Sequence, residues 1–118
     1  MFLVLYRWHV KPGYEDQFRE AWRRGTHAIT RRYHSYGSRL CRQADGAFVG
    51  AAEWPDEAAW RAAMAQHMAH DDLEADQKFN EAIEDGGAPL LTLTILDDLL
   101  QRPGRSPGLT GPEFPFDV

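Results

Sequence analysis

The sequence contains a single cysteine in 118 residues, and its 13 lysines and arginines are outnumbered by 18 aspartates and glutamates. One cysteine excludes a disulfide bond within the chain. The net charge of −5 offers no basic surface to a nucleic acid, so we expect no such partner. The chain also lacks a G-x-G-x-x-G motif, which is typical of nicotinamide- and flavin-binding domains. We therefore expect a small acidic domain that works without a cofactor.

Long apolar segments are missing as well. Residues 1–6 are apolar, but Arg7 and His9 end the run, which is far shorter than the ~20 residues that span a bilayer. The segment has neither the positive start nor the small-residue cleavage site of a secretory signal. We therefore expect a cytoplasmic protein with no membrane partner.

Hydrophobic periodicity predicts four strands and three helices. Alternate residues from Phe2 to Trp8 form one apolar face of a strand, and Asp45-Gly46 is typical of a hairpin turn. The predicted strands cover residues 2–10, 38–43, 47–54 and 89–96, and the predicted helices cover residues 14–33, 55–68 and 72–84. This order predicts an α+β ferredoxin-like βαββαβ fold, with helices on one face of a four-stranded antiparallel sheet.

The composition changes near residue 100. Residues 1–100 hold all the predicted helices and strands and form one predicted domain. Residues 101–118 contain four prolines and several glycines, which predicts a C-terminal tail without a helix or a strand.

Both faces of the predicted sheet are apolar at their centres. Leu3 and Leu5 lie opposite the face that runs from Phe2 to Trp8, and the last strand has leucines on both sides. One layer of helices covers only one face of a sheet, so the other face needs a partner. We therefore predict a homodimer that forms through the open sheet face.

Several short motifs follow one another in a characteristic order. V-K-P-G at residues 10–13 precedes a helix, and G-S-R-L at residues 37–40 opens a strand. The turn at residues 45–46 is followed by A-x-W-P-D-x-x-A-W at residues 52–60. Each motif is weak alone, but together, over roughly residues 1–98, they make the chain resemble the antibiotic biosynthesis monooxygenase (ABM) family.

The resemblance implies a dimeric α/β barrel in which two sheets pack face to face, with a pocket between the sheet and the helices of each subunit. The family includes cofactor-independent monooxygenases that oxidise aromatic polyketides, haem-degrading enzymes, small isomerases and members without a known activity. Because one fold carries several activities, the resemblance alone does not decide among them.

The aromatic residues supply a candidate pocket. The sequence predicts an apolar pocket with a few polar groups, the usual form of a small-molecule site. Its predicted lining is Tyr6, Trp22, Trp54 and His67. In a cofactor-independent oxygenase, His67 is the predicted catalytic base and Tyr6 the predicted donor of a hydrogen bond to the substrate anion. The predicted substrate is a small hydrophobic aromatic molecule, polyketide- or quinol-like. The predicted substrate-binding residues are Trp8, Trp22, Trp54 and Trp60.

A metal site is the first alternative at the same residues. His67 and His70 are followed by Asp71 and Glu74, a spacing that metal ligands on one helix can have. No other ligand pattern in the sequence completes the set, so we predict a solvated helix end and no metal.

Three other hypotheses stay open. The aromatic residues also fit a non-catalytic dimeric module that binds a hydrophobic small molecule, or a relative that shares only the fold and packs these rings in its core. Haem degradation is the least favoured hypothesis, because fragments of a motif transfer poorly between relatives. The haem degraders have an asparagine where this chain has Tyr6, and a tryptophan where it has Ala63 and Met64.

Overall fold

The computed structural model describes residues 1–101, and the predicted tail, apart from Gln101, lies outside these described residues. The strands are β1 (Phe2–Val10), β2 (Gly37–Arg42), β3 (Phe48–Trp54) and β4 (Ile83–Thr94), and the helices are α1 (Glu15–Tyr33), α2 (Glu57–Ala65) and α3 (Leu73–Ala82). The strands form one antiparallel sheet in the order β2-β3-β1-β4. The predicted α+β ferredoxin-like βαββαβ fold is confirmed, and the four-stranded sheet of the subunit is open rather than closed.

Capping residues set the starts of the two shorter helices. The side chain of Asp56 accepts a hydrogen bond from the Ala59 N–H (2.8 Å), and that of Asp72 accepts one from the Ala75 N–H (3.1 Å). Caps of this kind typically stabilise a helix by about 1 kcal/mol. None of the three helices, all within residues 1–101, is both long and apolar enough to cross a membrane.

The predicted end of α2 is wrong. The helix stops at Ala65 instead of continuing to residue 68. His67 and Met68 have left-handed backbones, with φ of 55° and 54°, and an α-helix cannot include such residues. The Met68 N–H bonds back to the Ala63 carbonyl (3.0 Å), which satisfies one carbonyl at the helix end.

The predicted start of the last strand is also wrong. β4 begins at Ile83, directly after α3, rather than at residue 89. Gly86 and Gly87 form a pair of the kind that often ends a helix, but both lie within β4, with positive φ angles of 112° and 104°. The register between β1 and β4 shifts near them, as it does at a bulge.

One face of the sheet packs against the helices and forms the core. Phe2, Val4 and Trp8 of β1 are buried on this face, as their alternation predicts. Burying side chains of this size stabilises a protein by about 1.5–3 kcal/mol each. The core has two clusters, one of Phe2, Val4, Trp54, Trp60 and Ala63 and the other of Trp8, Phe18, Phe48 and Ala82.

The opposite face of the sheet carries leucines, and none of the helices within residues 1–101 covers it. Leu3 pairs with Leu93 and Leu5 pairs with Leu91 across β1 and β4, so the four side chains form one patch. Leu91 and Leu93 are 50% and 40% exposed in the subunit. We refer to Leu3, Leu5, Leu91 and Leu93 as the open-face patch.

Candidate functional site

A pocket of about 460 Å³ lies between the core face of the sheet and the helices. Strands β1 and β3 contribute to one side, α1 and α3 to the other, and the α2–α3 connection (residues 66–72) completes it. The volume falls within the range of about 300–1,000 Å³ that is typical of small-molecule sites. The apolar part of the lining includes Trp8, Trp22, Ile29, Met64, Met68 and Phe79.

Most of the predicted site residues meet in this pocket. Tyr6, Trp8, Trp22, Trp54 and His67 all line it. Trp60 does not line it but is buried behind it, where its ring packs against Phe2 (centroids 5.5 Å apart). Trp60 contacts the pocket residue Tyr6, because its Nε1 donates a hydrogen bond to the Tyr6 hydroxyl.

Tyr6 presents a hydroxyl group with a free hydrogen. Its oxygen accepts a hydrogen bond from Trp60 Nε1 (2.9 Å), and the hydroxyl donates to no acceptor within the described residues. Burial raises the pKa of this hydroxyl above its ordinary value of 10.0, and the hydrogen bond from Trp60 lowers it by a smaller amount. Tyr6 is therefore neutral at physiological pH and can donate a hydrogen bond to a ligand.

Several aromatic rings lie in the same pocket as Tyr6. The Trp8 ring stacks beside Tyr6 (centroids 5.9 Å apart, planes inclined by 19°) and contacts Phe79 edge-on (5.6 Å). Trp54 is almost fully buried, and its indole N–H has no acceptor among residues 1–101. A flat aromatic ligand can pack against these rings, as aromatic pairs do in protein cores.

His67 lies on the α2–α3 connection at the edge of the pocket. Its side chain is exposed, and its left-handed φ of 55° is uncommon for a residue other than glycine. The connection is tied to α1, because the Tyr33 hydroxyl donates to the Ala69 carbonyl. Non-glycine residues in such backbone conformations cluster at functional sites.

A charged network anchors the other end of the connection. The Arg24 guanidinium donates two hydrogen bonds to the Asp72 carboxylate (2.7 and 3.1 Å) and one to Glu74 (3.0 Å). The Asp72 N–H donates to His70 Nδ1 (3.1 Å). His70 itself lines the pocket. The network therefore connects α1, the start of α3 and an imidazole ring in the pocket.

Several residues that line the pocket are not predicted from the sequence. The sequence predicts no substrate-binding role for His70, nor for Asp76 and Asn80 of α3, although all three line the pocket. The spacing of Asp76 and Asn80 by four residues is a usable signal, because it places them on one face of a helix. Among residues 1–101, no three histidine, cysteine, aspartate or glutamate side chains converge as metal ligands do.

The Arg24–Asp72 pair predicts a loss of stability in acid. The hydrogen bonds from Arg24 and, to a smaller extent, from the Ala75 N–H lower the pKa of Asp72 below its ordinary value of 3.8. Between the two pKa values the unfolded chain holds a proton that the folded protein does not, so stability rises with pH there. The stabilisation is complete when the pH is above the ordinary pKa of an aspartate, and it disappears as the pH falls through the lowered pKa of Asp72.

Asp72→Asn tests this assignment, because asparagine is also a good helix cap but carries no charge. We expect the variant to melt below the wild type at neutral pH and the difference to shrink as the pH falls below the ordinary value of 3.8. Thermal melts of both proteins across this pH range measure it. A difference that stays constant with pH would contradict an ionic role for Asp72.

A family model and several solved structures match the chain. The model described as antibiotic biosynthesis monooxygenase matches residues 1–82. No curated protein sequence matches the chain.

Three solved structures illustrate the structural likeness. SnoaB, a cofactor-independent oxygenase from Streptomyces nogalater, is 20% identical with a TM-score of 0.60, and the match covers 85% of this chain and 97% of SnoaB. Rv0793 from Mycobacterium tuberculosis is 17% identical with a TM-score of 0.60, over 84% and 98% of the two chains. A NIPSNAP domain protein from Burkholderia xenovorans is 17% identical with a TM-score of 0.57, over 81% and 95%. At these identities the likeness demonstrates a shared fold alone.

Proposed function

The chain belongs to the antibiotic biosynthesis monooxygenase family, whose model matches residues 1–82, and from this membership we propose that it is a cofactor-independent monooxygenase. Its substrate is a small aromatic molecule, polyketide- or quinol-like, with an acidic phenol or an anthrone-type C–H bond. The observation that carries the proposal is the neutral Tyr6 hydroxyl, held by Trp60 within an aromatic pocket. The fold shared with SnoaB, a cofactor-independent oxygenase, supports it.

The reaction needs no external reductant. For an anthrone-type methylene the balance is R₂CH₂ + O₂ → R₂C=O + H₂O. A base removes a proton from the substrate, and the delocalised anion reduces O₂ and forms a C–O bond to give a hydroperoxide. Loss of water from the hydroperoxide leaves one oxygen atom in the new carbonyl group. The substrate supplies all four electrons, so the protein has only to move a proton, stabilise the anion and exclude water.

Residues of the pocket fit these three tasks. His67 is the base in this proposal, and its exposed side chain can pass the proton on to solvent. Tyr6 donates its hydrogen to the developing oxyanion, a role that requires the neutral form favoured by its raised pKa. Trp8, Trp22 and Trp54 hold the ring system of the substrate and exclude water from it.

We also propose that the protein works as a homodimer through its open sheet face. The open-face patch supplies the apolar centre of the interface. Arg39 and Glu53 occupy the same face, since they pair across the sheet with Ala51 and Leu3. Opposite charges on one face allow two copies related by a two-fold axis to pair with each other.

Tyr6→Phe tests the proposed function, with 1,8-dihydroxyanthrone as the probe. A hydrogen bond to a charged group contributes about 1.5–3 kcal/mol, so we expect the rate of quinone formation to fall about 10- to 100-fold at an unchanged fold. The readout is absorbance of the anthraquinone product, corrected for oxidation in protein-free buffer. Tyr36→Phe is the matched control, because Tyr36 is 60% exposed and does not line the pocket.

The same assay separates the enzyme from a binding module. Saturable binding of the probe with no acceleration over protein-free buffer would contradict the oxygenase and favour a non-catalytic module. An unchanged rate in Tyr6→Phe would remove Tyr6 from the reaction.

A further inference from the structure

The hydrogen bond at His70 fixes which ring nitrogen carries the proton. The Asp72 N–H donates to His70 Nδ1 (3.1 Å), so Nδ1 is an acceptor and has no hydrogen. In a neutral imidazole the hydrogen then resides on Nε2. The hydrogen bond from the Asp72 N–H therefore makes His70 a hydrogen-bond donor at Nε2.

Nε2 lies beside Gly25, and a small gap with room for one added carbon separates it from the Gly25 backbone. A β carbon built at Gly25 would lie 3.7 Å from His70 Nε2 and would meet no closer atom, and both residues line the pocket. Gly25 lies within α1, where glycine is less favourable than alanine. Since packing leaves room for a β carbon here, the glycine keeps a space about one carbon wide open beside Nε2.

The position of the ring is supported from two helices. Arg24 precedes Gly25 on α1 and holds the Asp72 carboxylate through two hydrogen bonds. Asp72 also caps α3 through the Ala75 N–H. The N–H that orients His70 is therefore anchored to the same turn of α1 that contains the gap.

We propose that His70 is a second oxyanion donor of the pocket: its Nε2–H, above Gly25, binds the ionised oxygen of a phenolic ligand, and Arg24 and Asp72 are positioning residues. The inference rests on the proposed function, which identifies this pocket as the site that binds the aromatic substrate. Asp76, which also lines the pocket, is exposed, so water screens its charge from that oxygen.

Two substitutions separate a donor from a purely structural histidine. His70→Asn places an amide oxygen near the Nδ1 position, which keeps an acceptor for the Asp72 N–H but removes the donor at Nε2. His70→Gln reaches the Nε2 position with an amide N–H donor but loses the acceptor near the backbone. If His70 is purely structural, His70→Gln should weaken ligand binding more than His70→Asn. If His70 is a donor, His70→Asn should weaken it more.

The readout is ligand binding rather than turnover. We would titrate each protein at pH 8, where an imidazole is ordinarily neutral, with 4-nitrophenolate and with 4-nitroanisole, which has no ionisable oxygen. We expect His70→Asn to weaken binding of the phenolate about tenfold or more and to leave binding of the anisole unchanged. His70→Gln should retain most of the preference for the phenolate.

The opposite pattern, with the preference kept in His70→Asn and lost in His70→Gln, would overturn the proposal. Absence of phenolate binding to the wild type would overturn it too. Because no oxygen chemistry is involved, a His70-dependent phenolate preference without catalysis would support this donor while the oxygenase proposal fails.

Two further measurements do not depend on the folding of the His70 variants. Nitrogen-15 NMR of the wild type at pH 8 should find the His70 proton on Nε2, and a proton on Nδ1 would overturn the proposal. Gly25→Ala should raise the melting temperature by about 2–5 °C. It should also weaken the binding of both nitroaromatic ligands. Unchanged ligand binding in Gly25→Ala would mean that the gap is not the binding position.

Discussion

Replacing Gly86 by alanine should destabilise the protein by about 2–5 kcal/mol, because two separate penalties apply at this position. The φ of 112° lies in a left-handed region that costs an L-residue about 1–2 kcal/mol. The new β carbon would also lie 2.3 Å from the Arg7 carbonyl oxygen and 2.8 Å from the Trp8 Cα. These are main-chain atoms of β1, so relieving the overlap means moving a central strand, at about 1–3 kcal/mol.

The matched control is Gly46→Ala in the β2–β3 turn. Gly46 also has a positive φ, 95°, but a β carbon there would meet nothing within 4 Å. We therefore expect only the first penalty, about 1–2 kcal/mol, at this position. Free energies of unfolding from urea denaturation measure both variants. Equal losses at Gly46 and Gly86 would contradict the contact with β1.

A lysine in place of Leu93 should disrupt the proposed homodimer and leave a monomer. Leu93 lies in the open-face patch directly across from Leu3, at the centre of the proposed interface. An unpaired charge buried between two sheets costs about 3–5 kcal/mol, which weakens association by at least about 100-fold. Size-exclusion chromatography with light scattering at micromolar concentration measures the change.

Leu73→Lys is the control for this substitution. Leu73 is also exposed, at 73%, but it lies in the first turn of α3, in the helix layer. The control should remain dimeric, because the helix layer covers the other face of the sheet. A wild type that is a compact monomer under the same conditions would contradict the proposed homodimer.

Local patterns predict most of this fold from the sequence. The alternation from Phe2 to Trp8 predicts both the bounds of β1 and its buried face, because side chains in a strand alternate between the two faces. The start of β4 escapes prediction for a physical reason. α3 passes directly into the strand at Ile83 with no turn between them, and the glycines that usually end a helix instead form a bulge further along.

The candidate site, like the fold, is predicted from the sequence only in part. The large rings of Trp8, Trp22 and Trp54 identify the pocket lining, because small-molecule pockets are lined mainly by apolar and aromatic side chains. The role of His70 depends on Asp72 and Arg24, which are 48 residues apart in sequence. Their contact follows from how α1 and α3 pack, and no spacing in the sequence encodes it.

Oxygen stoichiometry tests the central claim, that this pocket oxidises an aromatic substrate with O₂ alone. Metal-free protein would be mixed with 1,8-dihydroxyanthrone under ¹⁸O₂, without added flavin, haem or reductant, and the O₂ consumed compared with the quinone formed. We expect a rate above that of protein-free buffer, one O₂ consumed per quinone, and one ¹⁸O atom in the product with the other in water. A rate equal to that of the buffer, or quinone formation that requires an added metal, flavin or reductant, would contradict it.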